Sequence, residues 1–275
     1  MEYRSLEGVS NTDIHDAFVD AFGSYEVPMS LSTAELSAMM DSRDVSPALS
    51  VGCFDAETLV GFVLVGVRAG ADGRVTYDAA TGVRQGHQSK GIGSGMLHAL
   101  WAQLKSAGAV SFQLEVLENN TAAQTLYERH GCTTTRRFVC VRTRRPPEHR
   151  LPTGWEVRSE LPAGIDEALY NGYVPSWQQA VASARGAHYV VRIEGSTVVA
   201  YGIIQAASGS VMQLGIHPAW RLTIPVAEVV KAVASQTNAE QLRFVNIEDA
   251  SWMAAALVEC GWEPFVYQRE MLRTL

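Results

Sequence analysis

The chain has 275 residues and a mass of 29.9 kDa, which suits one large domain or two domains of ordinary size. Apolar residues make up 47% of the sequence and charged residues 19%, a composition that supplies a packed core and excludes a disordered chain. The formal net charge is −7, and because nucleic-acid binders carry a basic excess, this balance argues against a nucleic-acid partner.

The sequence predicts a cytoplasmic protein with neither a membrane span nor a metal site. No apolar run approaches the roughly 20 residues that cross a bilayer. The first residues, Met1–Leu6, lack the apolar core of a secretion signal. The four cysteines form no CxxC pair and have no ligand-like spacing with the seven histidines, so neither disulfides nor a zinc site is expected.

Hydrophobic periodicity and turn residues predict alternating helices and strands in the first half of the chain. In chain order these are helices over Thr12–Gly23 and Thr33–Met40, strands over Leu59–Val67 and Arg74–Ala80, a helix from Ser94, a strand over Phe112–Leu117, and a helix from Thr121 that Gly131 ends. Thr121 and Gln124 have the spacing of a capping box.

A linker is predicted over residues 146–154, which hold three prolines and no apolar periodicity. It separates a first domain over residues 1–145 from a second over residues 155–275. The two sides resemble each other, because Leu114–Cys132 and Phe244–Trp262 both read as a strand, an acidic turn, a helix and a final glycine. An internal duplication of one α/β unit is therefore expected.

The strongest chemical signal is the segment Gln88–Gly95, called here the glycine loop, which lies between a predicted strand and a predicted helix. Glycines allow several backbone N–H groups to face one point, and the positive end of the following helix adds to their attraction for phosphate. The spacing GxGxG does not match the Rossmann fingerprint, and Lys90 stands on the wrong side of Gly91 for a Walker loop.

Two motifs together resemble the GCN5-related N-acetyltransferases (GNAT). Gln88, Gly91 and Gly93 match the Q/R-x-x-G-x-G/A motif of that family. The second signature is matched by Leu114–Val116, Asn119–Asn120, Ala122–Ala123, Leu126–Tyr127 and Gly131–Cys132. The resemblance covers residues 1–145 well and 155–275 weakly. It implies an α/β fold of the α+β type, with two tandem GNAT-like domains that each have a mixed twisted sheet flanked by helices.

The resemblance also implies a binding site for acetyl-coenzyme A (acetyl-CoA). The backbone of Val83, Arg84 and Gln85 is expected to pair with the pantetheine arm, and Asn120 to touch the pantetheine region. The diphosphate is expected to be wrapped by six consecutive residues with Gln88 beside them: Ser89, Lys90, Gly91, Ile92, Gly93 and Ser94. The family often has proline where Gln85 stands, a departure that changes the stiffness of the loop and leaves its N–H donors intact.

The same resemblance implies acid and base catalysis. A lysine-like amine has a pKa near 10.4, so the attacking amine must lose a proton. In family members that acetylate ribosomal-protein N-termini, the Glu of a similar strand takes this proton, which assigns the role to Glu115. Asp78 on the preceding strand is the alternative. Tyr127 is expected to return a proton to the coenzyme A thiolate, whose pKa lies at about 8.5 by analogy with cysteine.

The second copy lacks these groups. Arg221–Val226 stands where the glycine loop stands, both glycines are replaced by β-branched residues, and Pro225 has no N–H. Val245 and Leu257 stand at the positions of the predicted base and acid. The second half is therefore interpreted as a copy of the fold without the site.

The sequence accordingly predicts an acetyl-CoA-dependent N-acetyltransferase. The acceptor is expected to be a primary amine, either a small molecule or a peptide N-terminus, that attacks directly in a ternary complex because no nucleophilic Cys or Ser with a paired base is evident. An acyl-CoA-binding regulatory protein without turnover is the alternative. No nucleic-acid or membrane partner is expected, and the sequence leaves a homodimer open.

Overall fold

The computed structural model describes residues 1–23, 31–146 and 150–275. It contains two compact units, Met1–Thr135 with Glu270–Leu275, and Arg136–Arg269. Each unit is a mixed sheet with helices packed on it, which confirms the predicted α/β class with tandem units. No helix in the described part of the chain is long and apolar enough to cross a membrane.

The first unit alternates strands and helices in nearly the predicted order. Its strands are β1 (Glu2–Ser5), β2 (Val51–Asp55), β3 (Thr58–Ala69), β4 (Arg74–Val83) and β5 (Ala109–Leu117), and its helices are α1 (Asn11–Phe22), α2 (Thr33–Ser42), α3 (Ile92–Ser106) and α4 (Thr121–Arg129). Strands β1 to β4 pair antiparallel, whereas β4 and β5 pair parallel. The predicted helices and strands are all present, with ends that move by a few residues.

The parallel pair β4–β5 separates along its length. Residues Arg74–Tyr77 of β4 pair with Ala109–Gln113 of β5, and no pairing continues beyond Tyr77. A β-bulge on β4 follows at Ala79, because Asp78 and Ala80 oppose consecutive residues of β3. Bulges bend a strand and re-aim its side chains. The space between the unpaired ends of β4 and β5 is called here the strand gap.

The two faces of the first sheet bury different partners, since consecutive residues of a strand point to opposite sides. On one face, Phe18 of α1 stacks on Phe62 of β3 with ring centroids 6.1 Å apart. On the other face, α3 and α4 cover an apolar cluster that includes Phe112 and Leu114 of β5 and Tyr127 of α4. The strand gap is therefore flanked by helices from both sides.

Helix α4 begins at a different cap from the predicted one. Asn120 is the N-cap, and its side-chain oxygen accepts a hydrogen bond of 3.1 Å from the amide of Ala123. The predicted capping box of Thr121 and Gln124 is wrong, because Gln124 Nε2 instead donates to two carbonyls at the end of β5. The predicted stop is confirmed at Gly131, whose φ of +82° is a conformation that favours glycine.

The second unit repeats the order of the first. Its strands are β6 (Thr133–Arg144, from residue 136 on), β7 (Trp155–Arg158), β8 (His188–Glu194), β9 (Thr197–Gln205), β10 (Ser210–Ile216), β11 (Gln241–Glu248) and β12 (Glu263–Thr274, up to residue 269), and its helices are α5 (Glu167–Asn171), α6 (Val226–Ala234) and α7 (Trp252–Glu259). The run β10–α6–β11–α7 matches the run β4–α3–β5–α4, which supports the duplication inferred from the sequence.

The compact units divide at other residues than the predicted domains. Strand β6 lies before the predicted boundary at residue 145, yet from residue 136 on it belongs to the second unit, where it pairs with β11. Residues 270–275 complete the first unit, where the amide of Leu275 donates to the carbonyl of Val110. Strand pairing, which sequence periodicity does not report, causes this difference. Residues 147–149 of the predicted linker lie outside the described residues.

Candidate active site

The glycine loop turns into helix α3 through left-handed backbone. Ser89 has φ +61° and Gly91 has φ +76°, and Gly91 is the N-cap of α3 without any side-chain cap on the first turn. Residues from Gln88 to Gly91 are exposed, as is Ser94. The first N–H groups of an α-helix have no partner within the helix and carry its positive dipole end. The residues predicted to hold the diphosphate thus lie together at the N-terminus of α3.

Glycine at position 93 has a packing reason. A Cβ at Gly93 would lie 3.0 Å from Leu126 Cδ2 on α4, so the side chain of Leu126 would have to shift to make room for it. A Cβ at Gly91 would meet nothing within 4 Å, so only its left-handed φ demands glycine. The space beside Gly91, at the start of α3, is therefore open.

Two long side chains of the glycine loop are hydrogen-bonded to the backbone just before the loop. Gln88 Nε2 donates to the carbonyl of Val83 at 3.1 Å, and Lys90 Nζ donates to the carbonyl of Gly86 at 2.9 Å. Both side chains are exposed. These hydrogen bonds tie the loop to the end of β4 and to the turn that follows it.

The strand-end residues predicted to pair with pantetheine already have partners in the chain. The amide of Arg84 donates to the carbonyl of Val60 at 2.9 Å, and the amide of Gln85 donates to Asp20 Oδ1 at 2.8 Å. A ligand that accepts a hydrogen bond from the amide of Gln85 must therefore replace Asp20 as its acceptor. Asn120, also predicted to touch the ligand, uses its side-chain oxygen as the cap of α4.

Glu115 lies on the face of the sheet that α1 covers. Its carboxylate accepts a hydrogen bond from the hydroxyl of Tyr77, whose side chain is buried. Tyr77 pairs with Gln113 across the β4–β5 ladder, and Gln113 and Glu115 point to the same side because they are two residues apart. The predicted base is therefore held at the mouth of the strand gap on the α1 face.

Tyr127 lies on the opposite face, in contact with Asp78. Its hydroxyl donates to Asp78 Oδ2 at 2.7 Å, and Thr81 Oγ1 donates to the same oxygen at 2.7 Å. Burial raises the pKa of Asp78 to about 6, against the lowering effect of these two hydrogen bonds and of Arg43. Burial, followed by the charge of Asp78, raises the pKa of Tyr127 well above its ordinary value.

The two carboxylates that the sequence left as alternatives for the base are separated by the sheet. Tyr77 and Asp78 are consecutive in β4, so their side chains leave opposite faces. Glu115 shares the face of Tyr77, and Asp78 shares the face of Tyr127. A group on each side of the strand gap can therefore move a proton independently of the other.

Sequence reasoning missed the two residues that hold these carboxylates, Tyr77 and Thr81. Both stand in β4 beside Asp78, and the run of polar residues within an otherwise apolar strand was the available signal. The contact of Tyr77 with Glu115 was not readable, because it joins β4 to β5 over 38 positions of the chain. The contact of Thr81 with Asp78 spans three positions within β4.

In the second unit, the loop before α6 is closed by its own hydrogen bonds. The amides of Thr223 and Ile224 both donate to the carbonyl of Trp220, at 3.0 and 2.8 Å. Pro225, the N-cap of α6, has no amide hydrogen. The side chain of Ile224 is buried in the core of the unit. The backbone donors that hold an anion are thus already used or absent in this loop.

A segment of the second unit also bridges its splayed strands. Strands β10 and β11 pair only where Ser210–Val211 meets Arg243–Phe244. Further along, the buried Gln179 donates from Nε2 to the carbonyl of Val245 at 2.9 Å, and its own carbonyl accepts from Gln213 Nε2 at 2.7 Å. In the second unit, Gln179 therefore occupies the space between β10 and β11 that corresponds to the strand gap.

The fold and the site of the first unit define a class of protein. A mixed sheet whose parallel pair splays apart beside an uncapped, glycine-initiated helix is the arrangement implied by the resemblance to the GCN5-related N-acetyltransferases. Residues 12–132 match the family model described as Acetyltransferase (GNAT) family. The chain is similar to that family over these residues, all of which belong to the first unit.

Solved structures share the fold over the whole chain. A GCN5-related N-acetyltransferase from Sphaerobacter thermophilus is 13% identical with a TM-score of 0.69, over 99% of this chain and 95% of that one. A putative acetyltransferase from Pyrococcus horikoshii is 16% identical with a TM-score of 0.69, over 100% and 88%. A tandem GNAT protein from the clavulanic acid biosynthesis pathway is 14% identical with a TM-score of 0.68, over 99% and 98%. No curated protein sequence matches the chain.

Proposed function

We propose that the protein is an N-acetyltransferase that moves an acetyl group from acetyl-CoA to a primary amine in one ternary complex. The observation that carries this proposal is the placement of Glu115 and Tyr127 on opposite faces of the strand gap, each with a hydrogen-bonded partner. Acyl transfer to an amine needs a proton acceptor on the side of the nucleophile and a proton donor on the side of the leaving thiolate. The two faces provide these groups separately.

The amine approaches from the α1 face in this mechanism. Glu115 takes the proton of the ammonium form, directly or through a water molecule, so that the neutral amine attacks the thioester carbonyl. The hydroxyl of Tyr77 stabilises the carboxylate and fixes its direction. Asp78 does not serve as this base, because it lies behind the leaving group on the other face.

The thiolate leaves on the α4 face. Tyr127 donates its hydroxyl proton to sulfur as the carbon–sulfur bond breaks and the electron pair of that bond passes to sulfur. The backbone N–H groups at the start of α3 bind the diphosphate of the donor, with Gln88 to Ser94 around it. Asn120 contributes by capping α4, which carries Tyr127.

Direct attack is favoured over an acyl-cysteine intermediate. Burial raises the pKa of the Cys132 thiol to about 12, so this cysteine remains a thiol at neutral pH. The thiolate is the nucleophilic form of cysteine. Cys53 is also buried, and burial is the largest cause of its raised pKa. Neither cysteine of the first unit is therefore suited to carry the acetyl group.

A panel of amines tests the proposal. Polyamines, aminoglycosides and short peptides with a free N-terminus are incubated with acetyl-CoA, and release of the free thiol is followed with a thiol reagent. At least one class is expected to accelerate release above the rate without amine. Tight binding of acetyl-CoA with no turnover across the panel would instead identify an acyl-CoA-binding regulatory protein.

A further inference from the structure

Asp78 and Tyr127 are joined by a hydrogen bond, but the proposed mechanism gives a role in proton transfer only to Tyr127. Both side chains are buried, at 7% and 5% exposure, and the only hydroxyl hydrogen of Tyr127 is directed at Asp78 Oδ2. A phenol in this arrangement uses its proton in the hydrogen bond to Asp78 and has only oxygen lone pairs left for other groups. Donation to a thiolate therefore requires a change in the hydrogen bonds of this pair.

The second oxygen of the carboxyl group has no partner. Asp78 Oδ2 accepts from Tyr127 and Thr81, but Asp78 Oδ1 is buried and has no hydrogen-bond partner among the described residues. An ionised carboxylate with one buried, unsatisfied oxygen is costly in a low-dielectric site. Taking up a proton relieves that cost, so this carboxyl group holds a proton more readily than an exposed one.

Two further groups lie close to Asp78 on the elements around it, Arg43 and Cys132. Arg43, which follows α2, donates to the carbonyl of Ala79 at 2.6 Å, and its charge favours the ionised carboxylate. Cys132, which follows α4, stays protonated and adds no charge at neutral pH. Burial outweighs Arg43 and the two hydrogen bonds in setting the direction of the pKa shift of Asp78.

We propose that Asp78 and Tyr127 act as one coupled acid, in which Asp78 supplies through Tyr127 the proton that the leaving thiolate takes. The inference rests on the proposed function and adds a proton-supplying role behind the acid. Asp78 acts through Tyr127 and does not touch the substrate. Thr81 positions Asp78 for this role by donating to the same carboxyl oxygen.

The proton transfers balance in this scheme. The carbon–sulfur bond breaks with its electron pair on sulfur, the hydroxyl proton of Tyr127 moves to sulfur, and the carboxyl proton of Asp78 moves to the phenolate oxygen. The products are the free thiol, neutral Tyr127 and ionised Asp78, which regains a proton from solvent. The phenol alone is a weaker acid than the thiol, so its proton would move uphill. The carboxyl group behind it makes the overall transfer downhill.

Kinetics of Asp78→Asn separate this role from a structural one. An amide has the same shape and still accepts from Tyr127, but it has no acidic proton to supply. With acetyl-CoA and the best amine of the panel, kcat is expected to fall at least tenfold, while the KM for acetyl-CoA stays within about twofold. A purely structural role predicts nearly unchanged kcat. Asp72→Asn, in the exposed turn after β3, is the control and should keep the kcat of the unaltered protein.

A titration tests the coupling without turnover. The side-chain carboxyl carbons of aspartate are labelled with carbon-13, and the signal of Asp78 is assigned by its loss in Asp78→Asn. Its midpoint is expected near pH 6 and should move upward in Tyr127→Phe, which removes a hydrogen bond that lowers the pKa of Asp78. A midpoint below pH 5 that Tyr127→Phe leaves unchanged overturns the coupling, as does an Asp78→Asn kcat within twofold of normal. If no amine is acetylated, the proposed function fails, whereas the titration still decides the coupling.

Discussion

The hydroxyl of Tyr127 lies 2.7 Å from Asp78 Oδ2 and donates its hydrogen bond to that carboxyl group, although the two residues are 49 positions apart in the chain. The contact ties helix α4 to strand β4 just where the sheet loses the pairing of β4 with β5. It also places Asp78 on the face of Tyr127, whereas Glu115 lies on the opposite face with Tyr77. The proposed separation of the acid from the base rests on this division.

Removal of the Tyr127 hydroxyl tests the acid. Tyr127→Phe keeps the ring in the cluster that α3 and α4 bury, so the fold and the seat for the donor stay intact. We expect kcat with acetyl-CoA and an acetylated amine to fall by about ten- to a hundredfold, within the range of general acid catalysis. The Kd of acetyl-CoA, measured by calorimetry, should change less than twofold. A protein that only senses the ligand would show no loss in any response.

Replacement of Glu115 tests the base through its pH dependence. Glu115→Gln removes the proton acceptor, so the rate then depends on the fraction of amine that is already neutral in solution. Because that fraction rises toward the amine pKa of about 10.4, the deficit in kcat/KM should be large at pH 7 and shrink as pH increases to about 9.5. Glu128→Gln, exposed on α4, is the matched control. A deficit that is constant with pH would contradict the role.

Alanine substitutions at Gly91 and Gly86 form a matched pair that tests the proposed diphosphate site. Gly91→Ala places a side chain at φ +76°, which costs roughly 1–2 kcal/mol in left-handed backbone. The start of α3 should shift, and the Kd of acetyl-CoA should rise on the order of tenfold, equivalent to about 1.4 kcal/mol. Gly86→Ala meets nothing within 4 Å and has no such φ, so its Kd should be unchanged. Equal effects of both variants would refute the proposed site.

The second unit should not bind the donor. Its loop amides at Thr223 and Ile224 donate to Trp220, and Gln179 bridges the splayed strands. Calorimetry with acetyl-CoA is therefore expected to give one site per chain. Gly91→Pro should abolish the heat of binding completely, whereas Thr223→Ala should leave it unchanged. Residual binding in Gly91→Pro would show a second site and contradict the interpretation of this unit as a copy of the fold alone.

The buried Asp78 also predicts how stability changes with pH. Its pKa is about 6 in the folded chain and near 3.9 in an unfolded one, so the folded form holds the proton more tightly. The resulting stabilisation is complete below about pH 4 and is lost as pH rises through about 6, a change on the order of 3 kcal/mol. Asp78→Asn lacks this titration. The difference in free energy of unfolding between the two proteins should therefore shrink or reverse across this range in denaturant titrations, and parallel curves would count against it.

The sequence was sufficient for the parts of the site that lie close together in the chain. A turn and the start of a helix depend on neighbouring residues. The sequence alone could therefore predict the glycine loop, the helix that follows it and the need for glycine at the left-handed φ of position 91. The duplication and the loss of the loop in the second copy were likewise readable from matched segments. Local caps were less secure, and the cap of α4 fell on Asn120 rather than Thr121.

Only the tertiary structure decided which groups meet. The sequence predicted Glu115 as the base and left Asp78 as the alternative, and the sheet separates the two because consecutive residues of β4 leave opposite faces. The sequence likewise placed β6 with the first domain, whereas its ladder partner is β11 in the second unit. The periodicity of a sequence indicates which face of a strand or helix a residue lies on, but it does not indicate which strand pairs with which. Long-range pairing brings Tyr127 and Glu115, the proposed acid and base, to the same strand gap.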